Sequence, residues 1–140
     1  MTSWTFRQYV TNWDEWPFRN WYNLQDPHVR NAFDFTRRIL ERTDDWLRPR
    51  VHEFRQFTKW HVPLGEIRFR ADDLDSHGRT MTPRRIRVFG LLKPEMREFI
   101  VYGAGEEERN GRYVPADAAD KALGRYRDHT HGKGEAHALD

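Results

Sequence analysis

The stretch that decides the fold is Arg84–Glu108, RRIRVFGLLKPEMREFIVYGAGEEE. Ile86 and Val88 fall on one side of an alternating pattern, with Arg85, Arg87 and Phe89 on the other. That period of two predicts a strand with one apolar and one charged face. KPEM predicts a turn, since Pro94 sets the backbone angle a turn's second residue needs. REFIVYGAG is a near-continuous apolar run, as expected of a central strand. Just upstream, GEIRFRAD alternates in the same way: Ile67 and Phe69 mark one face, and Glu66, Arg68 and Arg70 the other. Three antiparallel strands are therefore expected, with Arg68, Arg70, Arg85 and Arg87 on a common face. Three glutamates, Glu106 to Glu108, follow the last strand in what reads as a polar loop with an Asn110-Gly111 turn signal.

Outward from the meander, the period lengthens. DPHVRNAFDFTRRILERTDDWL predicts a helix with Asp26 as N-cap and Pro27 in its first position. Val29, Ala32, Phe33, Thr36, Leu40 and Thr43 line one face at spacings of three and four. WTFRQYV predicts a first strand from Trp4 to Val10. A short helix follows, limited by Pro17 and capped by Asn12 or Asp14. Val51, Phe54 and Phe57 suit either a helical turn or an extended edge segment, and Pro63 and Gly65 mark a boundary. Beyond the acidic run, ADAADKALGRYRDHTH predicts a closing helix with Ala118, Ala119, Ala122, Leu123 and Tyr126 on one side. The expected fold class is α+β: a small antiparallel or mixed sheet with N-terminal helices on one face and a C-terminal helix. One domain is expected over residues 1–130, with 131–140 as a mobile tail.

The chain has 140 residues, 37% hydrophobic and 33% charged, with a net charge of +2, enough for a single core. A net charge this small makes local clustering, not the total, the argument for nucleic acid. There are no cysteines, which excludes a disulfide framework, a thiol nucleophile and the usual zinc ribbons. The absence fits a reducing compartment, and the N-terminus lacks a signal-peptide pattern, so a cytoplasmic location is expected. No apolar run is long enough to span a membrane. His129 and His131 lie two apart, and no cysteine supplements them, so no metal and no cofactor is expected. The paired acids Asp44-Asp45 and Asp72-Asp73 read as solvated loops rather than a glycosidase pair.

Arginines in two neighbouring rows can hold phosphates bidentately, and Phe89 and Tyr102 stand close enough in sequence to stack bases. The plainer reading is cross-strand pairing with Glu66, Glu98 or the loop aspartates. His129 has the chemistry of a general acid or base, or equally of a solvated helix end.

The segments LGEIRFRAD, RRIRVFGLLKPEMREFIVYGAG and VPADAADKALGRYRDH resemble the RelE/ParE toxin superfamily, and most of all its HigB-like branch, which includes phage-derived members. The likeness runs from about Asp26 to His129. It implies a RelE-like fold and the toxin of a type II toxin-antitoxin system: a metal-independent endoribonuclease that cuts messenger RNA on the ribosome, partnered by a cognate antitoxin. The chemistry implied is attack of a 2′-hydroxyl on the adjacent phosphate, with cationic side chains stabilising the developing charge. The resemblance places catalytic roles at Arg68, Arg87, Tyr126, Asp128 and His129, and RNA contacts at Arg70, Arg85, Lys93 and Tyr102. The chain departs from the branch at three points: Tyr102 stands where the family has histidine, Glu106–Glu108 stand near its lysines, and the loop from Asp72 to Pro83 is longer than usual. Each carboxylate beside a scissile phosphate costs about 1 kcal/mol or more at a surface-like dielectric. The alternative is therefore a phage-encoded RelE-fold protein without cleavage activity that binds a host protein through its tryptophan-rich N-terminal half. A gyrase-directed ParE-like role is a third reading.

Overall fold

The structure is a computed structural model, and it describes residues 3–58, 63–72, 77–79 and 83–139. The described elements are β1 (Thr5–Val10), α1 (Pro17–Leu24), α2 (Pro27–Glu41), β2 (Phe54–Gln56), β3 (Leu64–Ala71), β4 (Arg84–Lys93), β5 (Glu98–Glu107), β6 (Tyr113–Val114), α3 (Ala118–Thr130) and β7 (Glu135–Ala138), with a single 3₁₀ turn at Pro94–Met96. The class is α+β, with a mixed seven-stranded sheet in the order β2-β3-β4-β5-β1-β7. β6 pairs with β5 off that path. The meander β3-β4-β5 is antiparallel, as its alternation predicts, and β1 joins β5 in parallel.

Local sequence explains most of the elements. Asp26 caps α2: its Oδ1 accepts from the amides of His28 at 2.9 Å and Val29 at 3.1 Å. Val29, Phe33, Thr36 and Leu40 form the buried stripe. α1 begins at Pro17, but neither Asn12 nor Asp14 caps it. Trp16 holds the cap position and makes no side-chain cap bond. The Val51–Phe57 region resolves as the extended alternative, with β2 at the sheet edge. Gly65 does not end a segment; it lies inside β3, where a Cβ would meet the Phe54 ring at 2.4 Å. The Asp72–Pro83 loop lies largely outside the described residues.

Two expectations change. The segment 131–140, read as a mobile tail, contributes β7, which pairs antiparallel with β1 through Arg7↔Ala138 to Val10↔Glu135. Gly134 makes this possible: at φ 83° it sits so close to the chain that a Cβ would meet the Val10 carbonyl at 2.4 Å. Second, the acidic run is not simply loop. β5 continues through Glu107, and Glu106 and Glu107 pair with β6.

The core is divided by the sheet. One face packs Phe6, Ile67, Phe69, Val88, Phe99 and Val101 against α1, α2 and the segment carrying Trp46. The other packs Tyr9, Phe89, Ile100 and Tyr102 against Ala118, Ala119, Ala122 and Leu123 of α3. α3 lies close to the sheet because β5 presents glycines beneath it. A Cβ at Gly105 would meet Ala118 Cβ at 2.9 Å, and one at Gly103 would meet Ala122 Cβ at 3.5 Å. The helix covers only the β5 side of that face, so the β3-β4 side stays open, with the arginine rows on it.

Trp46 is the keystone of the first layer. It is 1% exposed, its ring lies 4.8 Å from Trp4, 5.3 Å from Phe99 and 5.5 Å from Phe54, and its Nε1 donates to the Leu40 carbonyl at 2.9 Å. Replacing it with alanine leaves a large cavity and removes the indole's bond to the Leu40 carbonyl. The expected loss is about 3–5 kcal/mol. Urea unfolding checks this; a Trp46→Ala midpoint within error of the parent would contradict the assignment.

Candidate functional site

The β3-β4 register brings the four arginines together. Arg68 pairs directly with Arg87, and Arg70 with Arg85, all on the face that α3 leaves open. Like charges directly opposed across strands repel, so this register needs counter-charges. Two are supplied from within the sheet. Arg87 Nε donates to Glu107 Oε2 at 2.7 Å and lies 3.8 Å from Glu66 Oε1, while its Nη1 donates to the Ile86 carbonyl at 3.0 Å. Glu66 in turn sits 3.9 Å from Arg68 Nε and accepts from the Tyr113 hydroxyl at 3.1 Å.

The acid run is thereby explained. Alternation along β5 sends Glu106 and Glu107 to opposite faces. Glu106 turns to the helical side and pairs with Arg84, which also reaches the capping residue Asp26 at 3.1 Å. Glu107 turns to the arginine face and pairs with Arg87. Only Glu108 is left exposed.

This divides the arginines into two kinds. Arg87 is 4% exposed and ion-paired, so its guanidinium is an internal brace. Arg68 is half-exposed, and its Nε has no hydrogen-bond acceptor among the described residues. Arg70 is exposed and Arg85 half-buried, and among the described residues neither has a carboxylate within ion-pairing distance. Together with His52 they line an open depression of about 450 Å³. A second depression of about 410 Å³ adjoins it, shared by Arg70, Arg85, Glu107, Glu108 and Arg109.

The remaining candidate residues lie elsewhere. Tyr102 is 1% exposed and Phe89 fully buried, so neither offers a ring to a base. The Tyr102 hydroxyl is 2.6 Å from His129 Nδ1, its ring meets Tyr126 edge-on at 5.8 Å, and Tyr9 packs 5.3 Å from His129. Burial lifts the Tyr102 hydroxyl well above the usual phenol range, with Tyr126, Tyr9 and Glu98 adding to the effect. Burial, then Lys93 and Arg7, holds His129 below its ordinary 6.5. The Tyr102 hydroxyl and His129 Nδ1 share one hydrogen bond, so that ring nitrogen is already engaged inside the fold. Asp128 is exposed, and its backbone carbonyl accepts from the Lys133 amide at 2.9 Å.

The sequence-derived catalytic set is therefore split. Arg87 lies opposite Gly105, beneath Ala118 at the start of α3. His129 is three turns further along that helix, roughly 16 Å away. Lys93 stands six residues beyond Arg87 on β4, roughly 20 Å along the strand. Glu107 and Tyr113, which hold the brace, escaped sequence reasoning because the strand's length and β6 were not apparent. Glu66 was visible by alternation alone. Among the described residues no cluster of histidine and carboxylate groups has the make-up of a metal site, and no helix is long and apolar enough to cross a membrane. Compared with protein-family models, curated proteins and solved structures, the chain matches none.

Burial raises the Glu66 carboxyl above its ordinary 4.5, an effect that Arg87, Tyr113 and Arg68 offset in part and Glu107 reinforces. The folded chain then holds this proton more tightly than the unfolded chain. Its contribution is fully present below 4.5 and is lost as pH rises through the raised value. Urea unfolding across the range from pH 4.5 to neutrality should show the parent losing stability relative to Glu66→Gln as pH rises. Parallel profiles would contradict it.

Proposed function

We propose that the open arginine face binds RNA phosphates, and that the chain works as a RelE/HigB-like toxin on messenger RNA held by the ribosome. The observation that carries the reading is that exposed Arg70, half-buried Arg85 and half-exposed Arg68 line one open depression, with no carboxylate in ion-pairing distance of Arg70 or Arg85 among the described residues. Guanidinium groups in this arrangement hold successive backbone phosphates bidentately. The α+β order, with helices ahead of an antiparallel meander and a helix after it, supports the RelE-like reading. A cytoplasmic site of action and a cognate antitoxin covering the cationic face belong to the same reading.

One observation favours a second reading. Arg87 is braced by Glu107 and Glu66, and His129 lies far along α3, so the groups that cleavage would use do not converge. On this reading the same face binds without cutting.

Induced expression in a bacterial host distinguishes the two. The toxin reading expects growth arrest, codon-linked cuts in messenger RNA on translating ribosomes, and relief of both by the Arg70→Ala/Arg85→Ala double substitution. Arrest without cuts supports the non-cleaving form. Arrest and cuts unchanged in the double variant would overturn the placement of RNA on this face.

A further inference from the structure

The arginine face offers a strand no ring to stack on, since Phe89 and Tyr102 are both buried. A strand held there by its phosphates must place its bases elsewhere. Another depression, of about 250 Å³, lies at the sheet edge, where β2 ends at Phe54 opposite Ile67 of β3. It adjoins the arginine depression, because His52 and Arg68 line both.

The segment between Trp46 and β2 builds it. Trp46 is anchored in the core by its bond to the Leu40 carbonyl, and the chain after it is pinned at two points. The Val51 amide donates to the Arg48 carbonyl at 2.9 Å, and the Glu53 carbonyl accepts from the Arg68 amide at 2.7 Å. Leu47, Pro49 and Val51 supply the apolar side of the depression. Leu47 is 53% exposed and Pro49 exposed, so this aliphatic surface faces water.

The polar side is cationic. His52 and Arg55 are exposed, and the register Arg55↔Glu66 sets Arg55 on the arginine face. Arg55 has no ion pair among the described residues, and no carboxylate lines either depression. Asp44 and Asp45 lie beyond, held against Arg48 at 4.0 and 3.7 Å. Aliphatic walls beside a planar imidazole and a guanidinium suit a base, which has apolar faces and stacks on both kinds of plane. The volume falls below the roughly 300 Å³ at which drug-sized sites begin, so it suits one ring system.

We infer that this depression is a nucleobase subsite: a single RNA strand lays its phosphates across Arg68, Arg70 and Arg85 and turns one base over the sheet edge, between Leu47 and the His52 ring. The inference rests on the RNA reading above and narrows it to unpaired RNA, since a duplex keeps its bases inside the helix.

Two probes separate the subsite from the phosphate contacts: a short oligoadenylate, and a strand of equal length and charge whose riboses carry no bases. The full chain should bind oligoadenylate about tenfold more tightly, the worth of one stacked base, with the same salt slope for both strands. The surface variant Leu47→Ser/His52→Ala should bind the two strands equally and keep the parent's affinity for the baseless one. Equal binding of both strands by the parent, or a preference kept in the variant, would overturn the subsite and leave the phosphate contacts standing. Binding of neither strand would overturn the RNA reading and the subsite with it.

Discussion

The β3-β4 register sets two guanidinium groups face to face, Arg68 against Arg87, within a sheet that buries one of them. Such a pair folds only if acid is brought to it, and the rest of the architecture on that face follows. Glu66 lies one pleat away on β3. β5 runs two residues beyond its apolar run, far enough to deliver Glu107, and β6 is held alongside so that Tyr113 can satisfy Glu66. Removing one member of a buried, hydrogen-bonded charge cluster leaves the others uncompensated, at a cost of about 3–5 kcal/mol. The arginine face is thus anchored at its base and cationic at its open end.

The two sheet faces do different work. Helices α1 and α2 close over the aromatic layer around Trp46, which supplies the bulk of the buried apolar surface. α3 covers the second face only partly. The glycines of β5 let alanines approach closely, and the result is a helix set low on the sheet with the β3-β4 side uncovered. That uncovered side is where Arg68, Arg70 and Arg85 reach solvent. The buried tyrosine cluster around His129 occupies the other end of α3 and acts as packing with an internal hydrogen bond.

Much of this was legible in the sequence because it depends on local periodicity. Alternation placed Ile67, Phe69, Ile86 and Val88 on one face and all four arginines on the other. Asp26-Pro27 marked the start of α2, and the alanines marked the buried side of α3. What was not legible depends on partners distant in the chain. β7 looks polar and short, and only its pairing with β1 makes it a strand. GAGEEE looks like a loop, because nothing local says that Arg84 and Arg87 wait on the neighbouring strand to accept the first two glutamates. The burial of Tyr102, Phe89 and Arg87 likewise follows from where α3 and β6 settle, which spacing within one strand does not encode.

The central claim is that Arg68, Arg70 and Arg85 meet phosphates while Arg87 only braces them. The salt dependence of binding to a short single-stranded RNA tests it most directly. Affinity should fall steeply with salt, and the slope of its logarithm against that of salt concentration should shrink by about 0.7 for each of Arg70→Gln and Arg85→Gln. Binding that is absent, insensitive to salt, or of unchanged slope in both variants would contradict the account.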